Sequence, residues 1–167
     1  MNKNLIIKKL LSIIPKEYII EKNINLSKYN KDWRGFYEYR SICAIFPKTN
    51  QQVSRILSFC FKENIKVVPQ SGNTSLTGAS VPSKNNYEII INLKRMDKIL
   101  SIDKKNLLVC VESGVILDNL KKFVEKNNFY FPLSLSSSGS SLIGGNISTN
   151  AGGINALKYG TIRESLQ

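Results

Sequence analysis

Histidine is absent from the 167 residues. That excludes a histidine general base, a histidine metal ligand and any cofactor attached through imidazole. Cysteine is scarce and odd in number. Cys43, Cys60 and Cys110 are widely spaced with no Cys-x-x-Cys pair, which excludes a zinc site or a disulfide framework. Cys60 and Cys110 lie in apolar runs (Leu57 to Phe61 and Leu107 to Val111) and read as small buried hydrophobes in a reducing compartment. Long apolar runs are missing too, since none approaches the ~18 residues of a membrane span. Lys8-Lys9 interrupts the N-terminal stretch Leu5 to Ile14, and no small-residue cleavage site follows, so a docking helix is expected rather than a signal peptide. A cytoplasmic protein is the expectation. With no route to the secretory pathway, Asn146-Ile147-Ser148 is not expected to be glycosylated.

Acidic residues are few: 12 against 24 Lys and Arg, for a formal charge of +12. A basic balance raises nucleic acid or anionic membrane as partners. The lysines are scattered, however, and the densest pairs are Lys104-Lys105 and Lys121-Lys122. No basic segment is interleaved with aromatics as a stacking platform would be. A solvated basic surface is the expectation, and nucleic-acid binding is not.

The hydrophobic content of 42% fits a globular chain. Residues 3–14 read as a helix stopped by Pro15, and 16–40 as an irregular aromatic arm. Ile42 to Phe46 is a short strand. Thr49 or Asn50 caps a helix whose apolar positions Val53, Ile56, Leu57 and Cys60 keep helical spacing to Asn64. Ile65 to Val68 and the β-branched run Glu88 to Leu93 are strands. Ile99–Ile102 and Leu107–Glu112 form a hairpin around Asp103 to Asn106. A second helix opens at Gly114, buries Ile116, Leu117, Leu120, Phe123 and Val124, and ends at Asn127-Asn128. Alternating strands and helices predict an α+β fold, an α/β sandwich.

Two stretches are nearly free of charge and rich in glycine and side-chain hydrogen bonders. One runs from Pro69 to Pro82, the other from Ser136 to Tyr159. Glycine lets backbone N–H groups converge and a ligand approach the main chain, and converging N–H groups form a nest for anionic oxygens. Two nests suggest a large phosphorylated cofactor. Gly72 to Gly78 does not spell G-x-G-x-x-G. Gly139 to Gly144 has the glycine spacing of a P-loop, but Gly145-Asn146 stands where Lys-Ser/Thr is required.

The order Val67-Val68-Pro69-Gln70-Ser71-Gly72-Asn73-Thr74-Ser75-Leu76 resembles the first FAD loop of the FAD-linked oxidases with a PCMH (vanillyl-alcohol-oxidase-type) flavin domain. The likeness is strongest to the D-2-hydroxyglutarate and D-lactate dehydrogenase branch. Ile143-Gly144-Gly145-Asn146-Ile147-Ser148-Thr149-Asn150-Ala151-Gly152-Gly153, with Lys158-Tyr159-Gly160, is similar to that family's second loop. Asp32-Trp33 and the helix at 49–64 also look like its N-terminal part.

The resemblance implies non-covalent FAD. By position, Pro69, Gln70, Ser71, Gly72, Asn73, Thr74 and Ser75 would meet the diphosphate, with Gly78, Ala79 and Ser80 shaping the return. Ser140, Gly144, Gly145, Asn146, Thr149, Asn150, Gly152 and Gly153 would line the ribityl chain and flavin. Ser71, Ser75 and Ala79 replace the family's glycines; a serine forced to positive φ would carry about 1–2 kcal/mol of strain.

The implied division is an N-terminal helix and aromatic arm over 1–40 and an FAD-binding domain over 41–167, truncated within its second subdomain. The implied reaction is hydride transfer from a D-2-hydroxy acid to flavin, then on to an unidentified electron acceptor, which could draw the protein to a membrane. The resemblance puts the substrate arginine, metal ligands and catalytic histidine beyond residue 167, so no residue here inherits a catalytic or metal role. Alternatives are a glycolate oxidase-type flavoprotein subunit, a flavin reductase of cell-wall synthesis, or a non-catalytic fragment that binds a partner.

Overall fold

The computed structural model describes residues 2–84 and 87–167. They form two compact units, Met1–Arg95 and Met96–Gln167.

The first unit is built on a four-stranded sheet. Its strands are β1 (Ile19–Ile20), β2 (Cys43–Ile45), β3 (Lys66–Gln70) and β4 (Glu88–Asn92), in the order β1-β2-β4-β3. β2 and β3 both run parallel to β4, and β1 pairs antiparallel with β2. Every residue of β4 is buried, because both faces of the sheet are covered; hence its unbroken Ile-Ile-Ile run instead of an apolar–polar alternation. Cys43, Ile45, Ile89 and Ile91 pack on one side with helices α1 (Lys3–Leu11) and α3 (Asn50–Lys62), through Ile6, Leu10, Ile56 and Cys60. Ala44, Phe46, Val68 and Ile90 pack on the other with Leu26 and Tyr29.

Leu26 and Tyr29 belong to α2 (Asn23–Asn30), a helix inside the stretch expected to be irregular. Asn30 at its end is also buried and accepts from the N–H and hydroxyl of Ser41 at 3.1 and 2.7 Å, so tertiary packing and bonding, rather than a broad apolar stripe, hold the helix. α1 stops at Leu11, short of the expected Ile14. The Ser12 hydroxyl donates to the Lys9 carbonyl at 2.7 Å, and Pro15 disfavours helical backbone at Ile14. α3 begins where expected. The Thr49 hydroxyl accepts from the Gln52 N–H at 3.2 Å, and the Gln52 side chain accepts from the Lys48 N–H at 2.8 Å, a close variant of the capping box.

The second unit opens with the expected hairpin, β5 (Ile99–Asp103) and β6 (Leu108–Val111), paired antiparallel. The Asp103 carboxylate accepts from the N–H groups of Asn106 and Lys105 at 3.0 and 2.9 Å. These bonds, that of Asn106 foremost, hold it below the usual carboxylate range. α4 (Leu117–Lys126) starts three residues after Gly114, because Ile116 is drawn into a β-bridge with Leu142. Leu117, Leu120 and Val124 pack with Val115, Leu133, Ile143 and Ile162. The hairpin and α4 also border a largely apolar cleft of about 790 Å³, lined by residues such as Val109, Leu120, Phe129 and Ile147. α5 (Ile143–Ser148) and α6 (Ala156–Tyr159) complete the unit. The architecture is the expected α+β class. Among the described residues, no helix is long and apolar enough to cross a membrane.

Cys60 is buried as expected, Cys43 is buried too, and burial pushes the thiols of Cys43 and Cys60 up to about 12 and about 11. Cys110 is exposed, contrary to expectation. Val109 and Val111 face the core of the second unit, and the pleat turns the residue between them outward. At pH 8 a disulfide reagent should therefore titrate one thiol in the folded protein and all three only after denaturation. Two or more fast-reacting thiols in the native chain would contradict this burial.

Candidate functional site

β3 delivers the chain to the first glycine loop at Gln70, which is in register with Asn92 on β4. This is the carboxyl end of parallel strands, where open sheets bind ligands. Both side chains are buried, at 1% and 3% exposure. The Asn92 amide donates to the Gln70 side-chain oxygen at 3.1 Å and to the Ser71 carbonyl at 3.0 Å. The Gln70 amide donates to the carbonyls of Tyr29 and Ser80 at 2.9 and 2.7 Å. The side-chain oxygen of Asn92 accepts from the Lys94 N–H at 3.1 Å. A buried amide left unpaired costs about 1–3 kcal/mol; here each is paired, and the start and return of the loop are tied together.

The loop is braced again at its waist. Asn73 donates to the Lys31 carbonyl at 2.7 Å and accepts from the Ser80 hydroxyl at 2.7 Å. At the exit, the Glu88 carboxylate accepts from the Ser83 hydroxyl at 2.8 Å and from the Ser83 N–H. Positive φ occurs at Asn73 (53°) and Gly78 (71°), and neither Ser71 nor Ser75 needs it. The left-handed position falls on Asn73, a residue type that tolerates it, so the two serines carry no such strain.

What remains free is main chain. Among the described residues, the N–H groups of Gly72, Asn73, Thr74 and Ser75 and the Thr74 hydroxyl donate to no partner. Pro69, next to last in β3, has no N–H to offer. Ser75 shares its hydroxyl with Thr77 at 2.9 Å, and Ala79 is exposed.

The second stretch is partly helical rather than an open loop. Ser140 and Ser141 turn back on the Ser137 carbonyl, with N–O distances of 2.9 and 2.7 Å. α5 then starts against the turn at 113–115: the N–H groups of Ile143 and Gly144 donate to the carbonyls of Val115 and Ser113 at 2.9 and 2.8 Å. Here the glycines divide by cause. A Cβ on Gly144 would stand 2.7 Å from the Ser113 Cβ, and one on Gly153 would run into the Ser134 carbonyl, so both are small to admit the chain itself. A Cβ on Gly152 would make only ordinary contacts, and one on Gly72 or Gly145 would stand in space open among the described residues. The N–H groups of Gly145, Gly152 and Gly153 likewise have no partner among the described residues.

Other side chains hold this stretch in shape. Asn146 is buried and donates weakly to the Ser141 hydroxyl at 3.4 Å. The Thr149 hydroxyl returns to the Gly145 carbonyl at 3.0 Å. Asn150, at φ 51°, accepts from the Arg163 N–H at 3.2 Å. The Arg163 guanidinium donates to the carbonyls of Ile147, at 2.9 Å, and Ser148, closing the carboxyl end of α5.

Asn92, Glu88 and Arg163 escaped the sequence reading. The first two bracket the Ile-Ile-Ile run, and that bracketing was the available signal: polar ends on a fully buried strand need partners. No group of His, Cys, Asp or Glu among the described residues could hold a metal ion.

The free donors fit a phosphorylated cofactor. Unpaired N–H groups and a hydroxyl on a braced loop suit diphosphate oxygens, and glycines with open space beside them suit a flat ring. Comparison with known proteins agrees. A model of the FAD binding domain family matches residues 42–167. The chain is 41% identical over 150 residues to the mitochondrial D-2-hydroxyglutarate dehydrogenase of Arabidopsis thaliana, covering 90% of this chain and 26% of that protein. It is 38% identical over 152 residues to the enzyme of the same name from Danio rerio, also mitochondrial, covering 91% and 28%. Thus it spans about a quarter of the length of these relatives. Among solved structures, alkyldihydroxyacetonephosphate synthase superposes with a TM-score of 0.87 at 20% identity, covering 98% of this chain and 32% of that one. The expectation of a cytoplasmic protein is overturned by these relatives, which are named as mitochondrial enzymes.

Gly153→Ala should lower stability by about 1–3 kcal/mol through overpacking. Gly145→Ala, inside α5, should be neutral or stabilising by up to about 1 kcal/mol. Urea unfolding of both variants checks the division; equal losses would refute it.

Proposed function

Because the chain belongs to the FAD binding domain family, we propose that it is the FAD-holding part of a flavin-dependent dehydrogenase that oxidises a D-2-hydroxy acid. The observation that carries this reading is the contrast within the first loop. Its side chains Gln70, Asn73 and Ser80 are bonded inward, while the N–H groups of Gly72 to Ser75 are left to a ligand. The relatives' names supply the substrate class.

In this reading Gly72, Asn73, Thr74 and Ser75 hold the diphosphate through main-chain N–H groups and the Thr74 hydroxyl. Pro69, Gln70, Ser71, Gly78, Ala79 and Ser80 set the course of the loop around them. Gly145, Gly152 and Gly153 offer N–H groups to the ribityl and flavin portion. Ser140, Gly144, Asn146, Thr149 and Asn150 fix the backbone that presents them. FAD, when bound, supplies the acceptor for the hydride leaving the substrate's CH–OH carbon. This chain's residues bind and orient it without lysine at the phosphates, so binding should depend less on salt than a contact built on lysines. In this reading the N-terminal helix and aromatic arm over 1–40 precede the FAD-binding domain over 41–167.

Added FAD should stabilise the protein. At 100 times the dissociation constant the linkage is about 2.7 kcal/mol, an upward shift of several degrees in melting temperature. Gly145→Val should lose flavin retention while keeping its fold. An unshifted melting curve at saturating FAD, or equal flavin retention in variant and parent, would refute the assignment.

A further inference from the structure

Residues 31–38 lie outside the stretch matched by the FAD binding domain model, which begins at 42. They form a small hairpin. Lys31 and Glu38 are bridged, with an ion pair at 3.3 Å. The Asp32 N–H donates to the Tyr37 carbonyl at 3.0 Å, and Gly35 turns the chain at φ 76°. The side chain of Asp32 is completely buried. One carboxylate oxygen accepts from the Tyr37 N–H at 2.8 Å. The other has no hydrogen bond among the described residues and stands 3.8 Å from Nε of Arg34. The Tyr37 N–H, more than the neighbouring Arg34 and Phe36 N–H groups and the guanidinium, holds this carboxyl below the usual carboxylate range, so it is charged at neutral pH.

Three contacts run from the hairpin to the first glycine loop. The Lys31 carbonyl accepts from the Asn73 side chain at 2.7 Å. The Arg34 guanidinium, stacked 4.7 Å from the centre of the Phe36 ring, donates to the Leu76 carbonyl. The Tyr37 ring occupies the place of a side chain at Gly78, where an added Cβ would lie 2.6 Å from the ring. These contacts fall at 73, within the run of free donors from Gly72 to Ser75, and at 76 and 78, just beyond it.

Resting on the FAD reading above, we infer that this hairpin is a template for the diphosphate loop, and that Arg34, oriented by Asp32 and Phe36, is a positioning residue for FAD binding. Its part is indirect. It holds the Leu76 carbonyl turned away from the N–H groups, so a carbonyl dipole does not compete with phosphate for them. Lys31 and Tyr37 fix the loop on either side.

The test uses the whole chain, its Arg34→Met variant, which keeps bulk and removes the donors, and Arg34→Lys, which restores a donor and a charge. FAD affinity is read from quenching of flavin fluorescence, and fold integrity from melting without ligand. Arg34→Met should bind FAD about tenfold more weakly, as loss of one charge-assisted hydrogen bond implies. Its unliganded melting temperature should fall by only a few degrees, because Asp32 loses the cation at 3.8 Å but keeps its bond from the Tyr37 N–H. Arg34→Lys should recover part of the affinity. Unchanged affinity in Arg34→Met overturns the inference. So does a melting temperature that falls in step with affinity, which would mark general damage, or no recovery in Arg34→Lys. A parent chain that binds no FAD fails differently, since it sinks the proposed function and the template with it.

Discussion

The buried bond between the side-chain amides of Gln70 and Asn92 is the constraint on which the first loop depends. Two parallel strands end side by side there, and their last residues turn polar groups into a site with almost no water. Each amide must find partners inside the protein. It finds them in the carbonyls of Tyr29, Ser71 and Ser80, so helix α2 and both ends of the loop are drawn to one point. The described part of the connection from β3 to β4 is thereby given a shape without regular secondary structure of its own. Once side chains do the internal bonding, main-chain N–H groups are left over, and they are what an anionic ligand can use.

The second stretch reaches a similar end by other means. Close approach of backbone adds to one buried amide, Asn146: Gly144 lies on Ser113 and Gly153 on Ser134. Arg163 and Asn150 secure the carboxyl end of α5 through three bonds to each other and to its carbonyls. In both stretches glycine therefore has two separate uses. Some positions are small because the chain folds back on itself, and others are small with nothing of the chain beside them. Only the second kind argues for a ligand, and residue identity alone does not separate them.

Much of the fold was legible in the sequence because it rests on local chemistry. Thr49 with Gln52 marks the start of α3, the run 88–92 marks a strand covered on both faces, and Asp103 to Asn106 marks a turn. Both glycine stretches and their FAD resemblance were legible for the same reason. What failed depends on distant contacts. α2 forms because the sheet offers a face for Leu26 and Tyr29 and because Ser41 and Gln70 bond to Asn30 and to the Tyr29 carbonyl. α4 lost its first turn to a bridge with Leu142, over twenty residues away. Cys110 reads as core by its neighbours and is turned outward by the pleat. Within the loops, the inward bonding of Gln70 could not be read without Asn92, which is adjacent in space and remote in sequence. The compartment was misjudged because a short N-terminal stretch was asked to settle it alone.

The proposal to be tested is that each stretch, taken by itself, offers free main-chain donors to FAD. Amide hydrogen exchange, followed with and without FAD, tests it most directly. Added protection should appear at 72–75 and at 145–153, while the β5–β6 hairpin is unchanged. Protection confined to other segments, or absent from either stretch at saturating FAD, would contradict the account.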